Sequence, residues 1–331
     1  MRLSGFYRRS QPKQSAVPLF DEGILRRLEK LNFRTVPFLR GAMLGERRSR
    51  NLRPAIDFSD HRPYSSGDDL RHVDWNAYAR HEELFVKLGE ATQSVNLHLL
   101  LDRSPSMIWQ PGWELSGQPV DKWLGARRLA GALTYLGLSG GERIKITPFS
   151  TGLEAGFGPT HGKRQVISAL QFLSEITPAP PPGTGVEPGL VRSLTAYARS
   201  HPGGGLLILI SDLLDAAASA DVGQGATWLA EGLSYLSPPR WQVIVMHILS
   251  EQEVHPTVAG DYDLRDVETG DSLPFHFDRD TISQYCLRMR RWCRELEQAC
   301  ARRGATYARV MAEWPFERSV VPYLRQRGVI Q

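Results

Sequence analysis

Apolar residues along this chain fall into two alternating patterns. Continuous apolar runs occur at Val95–Leu101, Arg143–Phe149, Gly205–Asp212, Trp241–Leu249 and Ala305–Met311. Short runs rich in Leu, Ile and Val are how strands buried on both faces of a parallel sheet read. Between them, apolar residues at three- and four-residue spacing predict helices over Asp121–Leu138, Gly162–Ile176, Gly189–Ser200, Gln224–Leu236, Thr281–Arg303 and Phe316–Arg327. Such alternation predicts an α/β fold with a doubly wound, mainly parallel sheet, Rossmann-like in the broad sense. Residues 250–280 break the rhythm and read as a β-rich excursion. His247, inside the apolar run of 241–249, reads as a core histidine rather than a ligand.

The N-terminal part follows neither pattern. Residues 1–20 mix basic, Ser, Gln and Pro residues without periodicity, which predicts a disordered basic arm. Residues 21–90 read as a separate region, irregular or β-rich. It opens with a short helix from Asp21 that carries Ile24, Leu25, Leu28 and Leu31, and it ends in a strand over Glu83–Leu88. Between these lies a segment where charges of both signs alternate with aromatics. Arg62, Tyr64, Asp68, Asp69, Arg71, Asp74, Trp75 and Arg80 are expected to form a buried polar network, because guanidinium groups pair with carboxylates and stack on aromatic faces. The other reading, a catalytic or metal cluster of Asp68, Asp69 and Asp74, suffers because neighbouring Arg residues would neutralise it. Residues 91–331 form the α/β domain.

Charge and cysteine content narrow the picture further. The net charge of +4 over 331 residues is uneven: residues 1–53 hold thirteen Lys/Arg against four Asp/Glu, so the remainder is acidic. A basic arm of this kind binds nucleic acid or an anionic membrane surface, or else is a solvated tail. No apolar run reaches the roughly 20 residues of a bilayer span, and the first residues lack the apolar core of a secretory signal. A cytoplasmic location is the expectation. Cys286, Cys293 and Cys300 recur every seven residues. On a helix, neighbours so spaced lie about 10.5 Å apart, too far for a disulfide or a shared metal. They read as small apolar residues on a buried stripe.

Candidate chemistry sits where the apolar runs stop. Leu101 is followed by Asp102-Arg103-Ser104-Pro105-Ser106, which puts one carboxylate and two hydroxyls within five residues. The second strand ends in Ser211-Asp212, and a loop between them holds Gly183-Thr184-Gly185. Open α/β sheets bind ligands at the carboxyl ends of their strands. An all-oxygen set suits a hard cation that keeps some of its waters. Taken singly, Ser and Asp after a strand also serve as helix caps and turn formers. Metal-assisted hydrolysis through Asp102 and Asp212 is a further reading. No general base at recognisable spacing and no Gly-x-x-x-x-Gly-Lys loop accompanies it, so binding rather than catalysis is expected.

The three loops, in the order Asp/Ser/Ser, Thr, Asp, resemble the metal-ion-dependent adhesion site (MIDAS) of von Willebrand factor A domains. The order Asp57-Phe58, Arg62-Pro63-Tyr64, Gly67-Asp68-Asp69, Arg71, Asp74-Trp75 and Ala79-Arg80, followed by Asp-x-Ser-x-Ser-Met, resembles the bacterial and archaeal "domain of unknown function 58" family. That family carries a von Willebrand factor A-like domain. The likeness runs from about residue 40 almost to the C-terminus. It implies Mg²⁺ or Mn²⁺ held directly by Ser104 and Ser106, directly or through water by Thr184, and mostly through waters by Asp102 and Asp212. It further implies an open metal position for a partner's acidic side chain, and a MoxR-type AAA+ ATPase as the partner. Many family members carry N-terminal membrane helices, and this sequence departs from them in showing none.

Overall fold

The computed structural model describes residues 58–65, 73–81, 83–89, 95–108, 122–179, 189–214, 225–265 and 272–330. The expected basic arm, the helix from Asp21 and the loop around Thr184 lie outside these residues, as do Asp68, Asp69 and Arg71.

In chain order the elements begin with β1 (Phe58–Pro63), α1 (Trp75–His81) and β2 (Phe85–Gly89). The α/β part follows with β3 (Asn96–Asp102), α2 (Lys122–Ser139), β4 (Arg143–Phe149), β5 (Phe157–His161), α3 (Val166–Glu175) and α4 (Leu190–Ser200). Next come β6 (Gly205–Ser211), α5 (Thr227–Ser234), β7 (Trp241–Leu249), α6 (Glu251–Val254), β8 (Gly260–Arg265) and β9 (Ser272–Phe277). The chain closes with α7 (Arg279–Arg302), β10 (Thr306–Met311) and α8 (Val321–Gln326).

Six strands form one sheet in the order β10-β7-β6-β3-β4-β5. All neighbours are parallel except β5, which runs antiparallel to β4 at the edge. Strands β3 and β6 are central and bury side chains on both faces, which is why they read as unbroken apolar runs. Leu97, Leu99 and Leu101 pack with α2, α3 and α8 on one face, whereas Leu100, Leu207 and Leu209 pack with α4, α5 and α7 on the other. Helices on both faces make this the doubly wound α/β architecture that the periodicity predicts. Each fully buried Leu contributes about 1.5–3 kcal/mol relative to exposure.

Two strands escape the sequence pattern. β5 has the sequence Phe-Gly-Pro-Thr-His, and its Pro159, which has no N–H to donate to a ladder, is accommodated at the sheet edge, where β5 lies. β1, whose sequence shows no apolar alternation, pairs antiparallel with β2. The excursion of 250–280 is the short helix α6 and the antiparallel hairpin β8–β9. On α7 the cysteines are free thiols, with Cys293 and Cys300 buried and Cys286 half-buried.

Candidate functional site at the β3–β6 switch point

β3 sits where the chain changes direction across the sheet. From β3 it crosses to β4 on one side; it later returns through β6 on the other. Loops leaving neighbouring strands in opposite directions open a crevice at their carboxyl ends. Register fixes what faces it: Leu101 lies opposite Ile210, so Asp102 and Ser211 end the two strands side by side.

The Asp102 carboxylate is held from both oxygens. Its Oδ2 accepts a 2.5 Å hydrogen bond from Ser211 Oγ, and its Oδ1 accepts from the Ser104 backbone N–H at 2.9 Å. That second bond folds the chain back and turns Ser104 inward. A single 3₁₀ turn over Pro105–Met107 then brings Ser106 alongside. Ser104 Oγ and Ser106 Oγ lie 2.9 Å apart, and Ser106 Oγ reaches Asp212 Oδ1 at 3.4 Å. All five residues are buried. Asp102, Ser104, Ser150, Leu190 and Ser211 line a small pocket at the strand ends. Arg103 turns away and pairs with Glu154 at 2.7 Å.

Asp212 reaches the opposite face of the sheet. Its Oδ2 accepts from Lys122 Nζ at 2.9 Å, and the same ammonium donates to Glu253 Oε1 at 2.8 Å. Lys122 and Asp212 are 0% exposed, so this ion pair is sealed from water. Burial works against the charge on Lys122, but Asp212 and Glu253 override it and hold the ammonium above the ordinary lysine range. Burial raises Glu253 despite Lys122. Asp102 rises to about 7, chiefly through burial and then through the nearby Asp212 charge, against the hydrogen bonds from Ser211 and Ser104.

Of the residues read from sequence as a metal set, Asp102, Ser104, Ser106 and Asp212 come together; Thr184 lies outside the described residues. Lys122, Glu253 and Ser211 escape the sequence reading. Lys122 left a signal, since it stands one turn before Ala126 on the apolar stripe of Ala126, Leu129, Leu133 and Leu136. Glu253 left only the Ser250-x-x-Glu253 spacing of a capping box, and it follows β7, the strand beside β6.

The expected polar network is only partly described, and what is described differs. Asp74 is buried and caps α1, its Oδ1 accepting from the Asn76 and Ala77 N–H groups. Tyr64 is half-buried and its N–H bonds the Leu84 carbonyl. Trp75 is 58% exposed and Arg80 is exposed too, so these two stand outside any buried network. The physical reason is the cap: it starts the helix at Trp75 and turns that ring outward against Tyr78. Arg62 belongs to β1.

The donor set suits a small hard cation. Among the described residues no group of three or more His, Cys, Asp or Glu is placed to hold a metal, so a cation here would depend on hydroxyls and water, which Mg²⁺ accepts. Ligands at right angles, 2.0–2.1 Å from Mg²⁺, stand roughly 2.9 Å apart, the spacing of the two serine hydroxyls. Asp212 and Glu253 share the Lys122 ammonium, while Asp102 lies buried on the other side of Asp212 and is held by Ser211 and the Ser104 N–H.

Among known proteins, the chain is 24% identical over 225 residues to uncharacterized protein Mb1516 of Mycobacterium bovis and to uncharacterized protein Rv1480 of Mycobacterium tuberculosis. Each match covers 68% of this chain and 65% of the relative, so the chain spans just under two thirds of these relatives' length. Among solved structures, the conserved hypothetical protein BatB of Bacteroides thetaiotaomicron aligns at 19% identity with a TM-score of 0.41, covering 71% of this chain and 98% of that one. An aerotolerance-related membrane protein of Bacteroides fragilis aligns at 19% identity with a TM-score of 0.39 and the same coverage. No described helix here is long and apolar enough to cross a membrane. The family described as "Protein of unknown function DUF58" matches residues 60–291, and the chain belongs to it.

Proposed function

We propose that this protein is a metal-dependent protein-interaction module whose sheet is a von Willebrand factor A-like domain with an adhesion-type site. The observation that carries the reading is the 2.9 Å pair of Ser104 and Ser106 hydroxyls, set between the Asp102 and Asp212 carboxylates at the switch point. Ser104 and Ser106 would hold Mg²⁺ or Mn²⁺, with Asp102 and Asp212 fixing its waters and Thr184 adding a further hydroxyl. A metal bound there would supply an electrophilic position for an external carboxylate. The chain's own residues orient that position: Ser211 holds Asp102, and the 3₁₀ turn holds Ser106. With hydroxyls rather than carboxylates as direct ligands, a cation held there would stay electron-poor and favour an acidic side chain from a partner. The family resemblance suggests a MoxR-type AAA+ ATPase as that partner, the protein acting as its adaptor in the cytoplasm.

Calorimetric titration with Mg²⁺ and Mn²⁺ tests this, with the Ser104→Ala/Ser106→Ala variant beside the wild type. Saturable binding lost in the variant supports the site. Capture of the ATPase that persists in EDTA, or with Asp102→Ala, overturns the adhesion-type reading.

A further inference from the structure

The Lys122 ammonium occupies one oxygen of a carboxylate whose other oxygen faces the serine hydroxyls. Asp212 Oδ2 is bound at 2.9 Å by Lys122 Nζ, and Asp212 Oδ1 accepts from Ser106 Oγ and from the Leu214 N–H. We propose that Lys122 is a built-in cation that competes with divalent metal for Asp212 and so keeps the site's own metal affinity low. The inference rests on the adhesion-type reading and assigns the regulation of that same site.

Two observations hold the ammonium in place. It is the first residue of an 18-residue helix packed into the core, so its stem cannot retreat without moving α2. From the other side Glu253 binds it at 2.8 Å. Glu253 is itself fixed, because its Oε2 accepts from the Ser250 N–H at 2.6 Å in the capping box of α6. The fixed positive charge repels an incoming dication across a dry interior, where charges interact more strongly than in water. It also withholds one Asp212 oxygen from the waters that would surround the metal. A site so restrained binds metal firmly only when a partner's carboxylate adds the missing negative charge, which makes metal and partner binding mutually dependent.

A purely structural role for Lys122 predicts that its removal weakens or leaves unchanged every binding property. Competition predicts the opposite. The test is Mn²⁺ titration by calorimetry of the full chain, comparing wild type with Lys122→Met and with Lys122→Met/Glu253→Gln. The double variant removes one positive and one negative charge, so net charge is unchanged and no orphan carboxylate is left at position 253. Circular dichroism confirms that each variant is folded. The expected result is Mn²⁺ binding tighter by about tenfold or more in the folded variants. Saturable binding in a variant where the wild type shows none supports the proposal equally. Unchanged or weaker binding, or silence in a folded variant, overturns it. Failure of the underlying site is read separately: it shows as wild-type affinity in Ser104→Ala/Ser106→Ala.

Discussion

Ser211 donates its hydroxyl hydrogen to Asp102 Oδ2 at 2.5 Å, joining the ends of the two central strands at the candidate site. Even with that bond, Asp102 titrates at about 7 rather than the usual 3.8, because burial and the neighbouring Asp212 disfavour its charge. A carboxyl whose folded pKa is raised binds more protons folded than unfolded between those two values. Its contribution to stability is therefore full below about pH 4 and is lost as pH rises to about 7. Denaturant unfolding of wild type and Asp102→Asn, each without divalent cations, isolates this group. The stability of the variant relative to wild type should grow between pH 4.5 and pH 7.5. A difference that stays flat over that range contradicts the assignment.

Removing the ammonium of the buried ion pair should be costly. Lys122→Ala leaves two sealed carboxylates facing each other without a counter-ion, and breaking a buried pair costs about 3–5 kcal/mol. The Lys122→Met/Glu253→Gln variant should recover part of that loss, since one orphan charge is gone. Urea denaturation of both variants at one pH measures the difference.

Two histidines should stay neutral well into the acid range. Burial lowers His98 to about 4, with His201 and Lys145 adding to the effect, and burial lowers His247 to about 3. Each ring meets a tyrosine hydroxyl through Nδ1, His98 that of Tyr197 at 2.8 Å and His247 that of Tyr307 at 2.6 Å. In the unfolded chain both take up protons near pH 6.5. The stability they contribute is present above that value and is lost as pH falls towards 4 and then 3. Proton NMR of the imidazole resonances should show neither ring titrating between pH 8 and pH 5.5.

Gly205 should be intolerant of any side chain. It opens β6 at φ 149°, in the region that favours glycine, and a Cβ there would meet the Asn96 carbonyl oxygen of β3. Because the obstacle is the backbone of the central strand, no rotamer relieves it. Gly205→Ala should destabilise by about 1–3 kcal/mol, a loss visible as a lower Tm.

The sequence determined the α/β class, because strands buried on both faces must be apolar throughout and helices between them must be amphipathic. Arg143–Phe149 and Trp241–Leu249 are strands with the bounds that their apolar runs predict. Asp102, Ser104 and Ser106 were legible as a unit because their spacing is local. Asp212 was legible as a second strand end, and the sheet order then placed it beside them. What the sequence could not contain is pairing across the fold. The edge strand β5 and the strand β1 depend on backbone hydrogen bonds to partners, which no side-chain pattern records. Asp74 reads as a member of a charged cluster, and only its bonds to the Asn76 and Ala77 N–H groups reveal a helix cap. Lys122 shows in the sequence only as a charge one turn before the apolar stripe of α2. Tertiary structure alone decided that it is sealed between Asp212 and Glu253, because these residues, 90 and 131 positions away, converge only when α2 packs across the sheet.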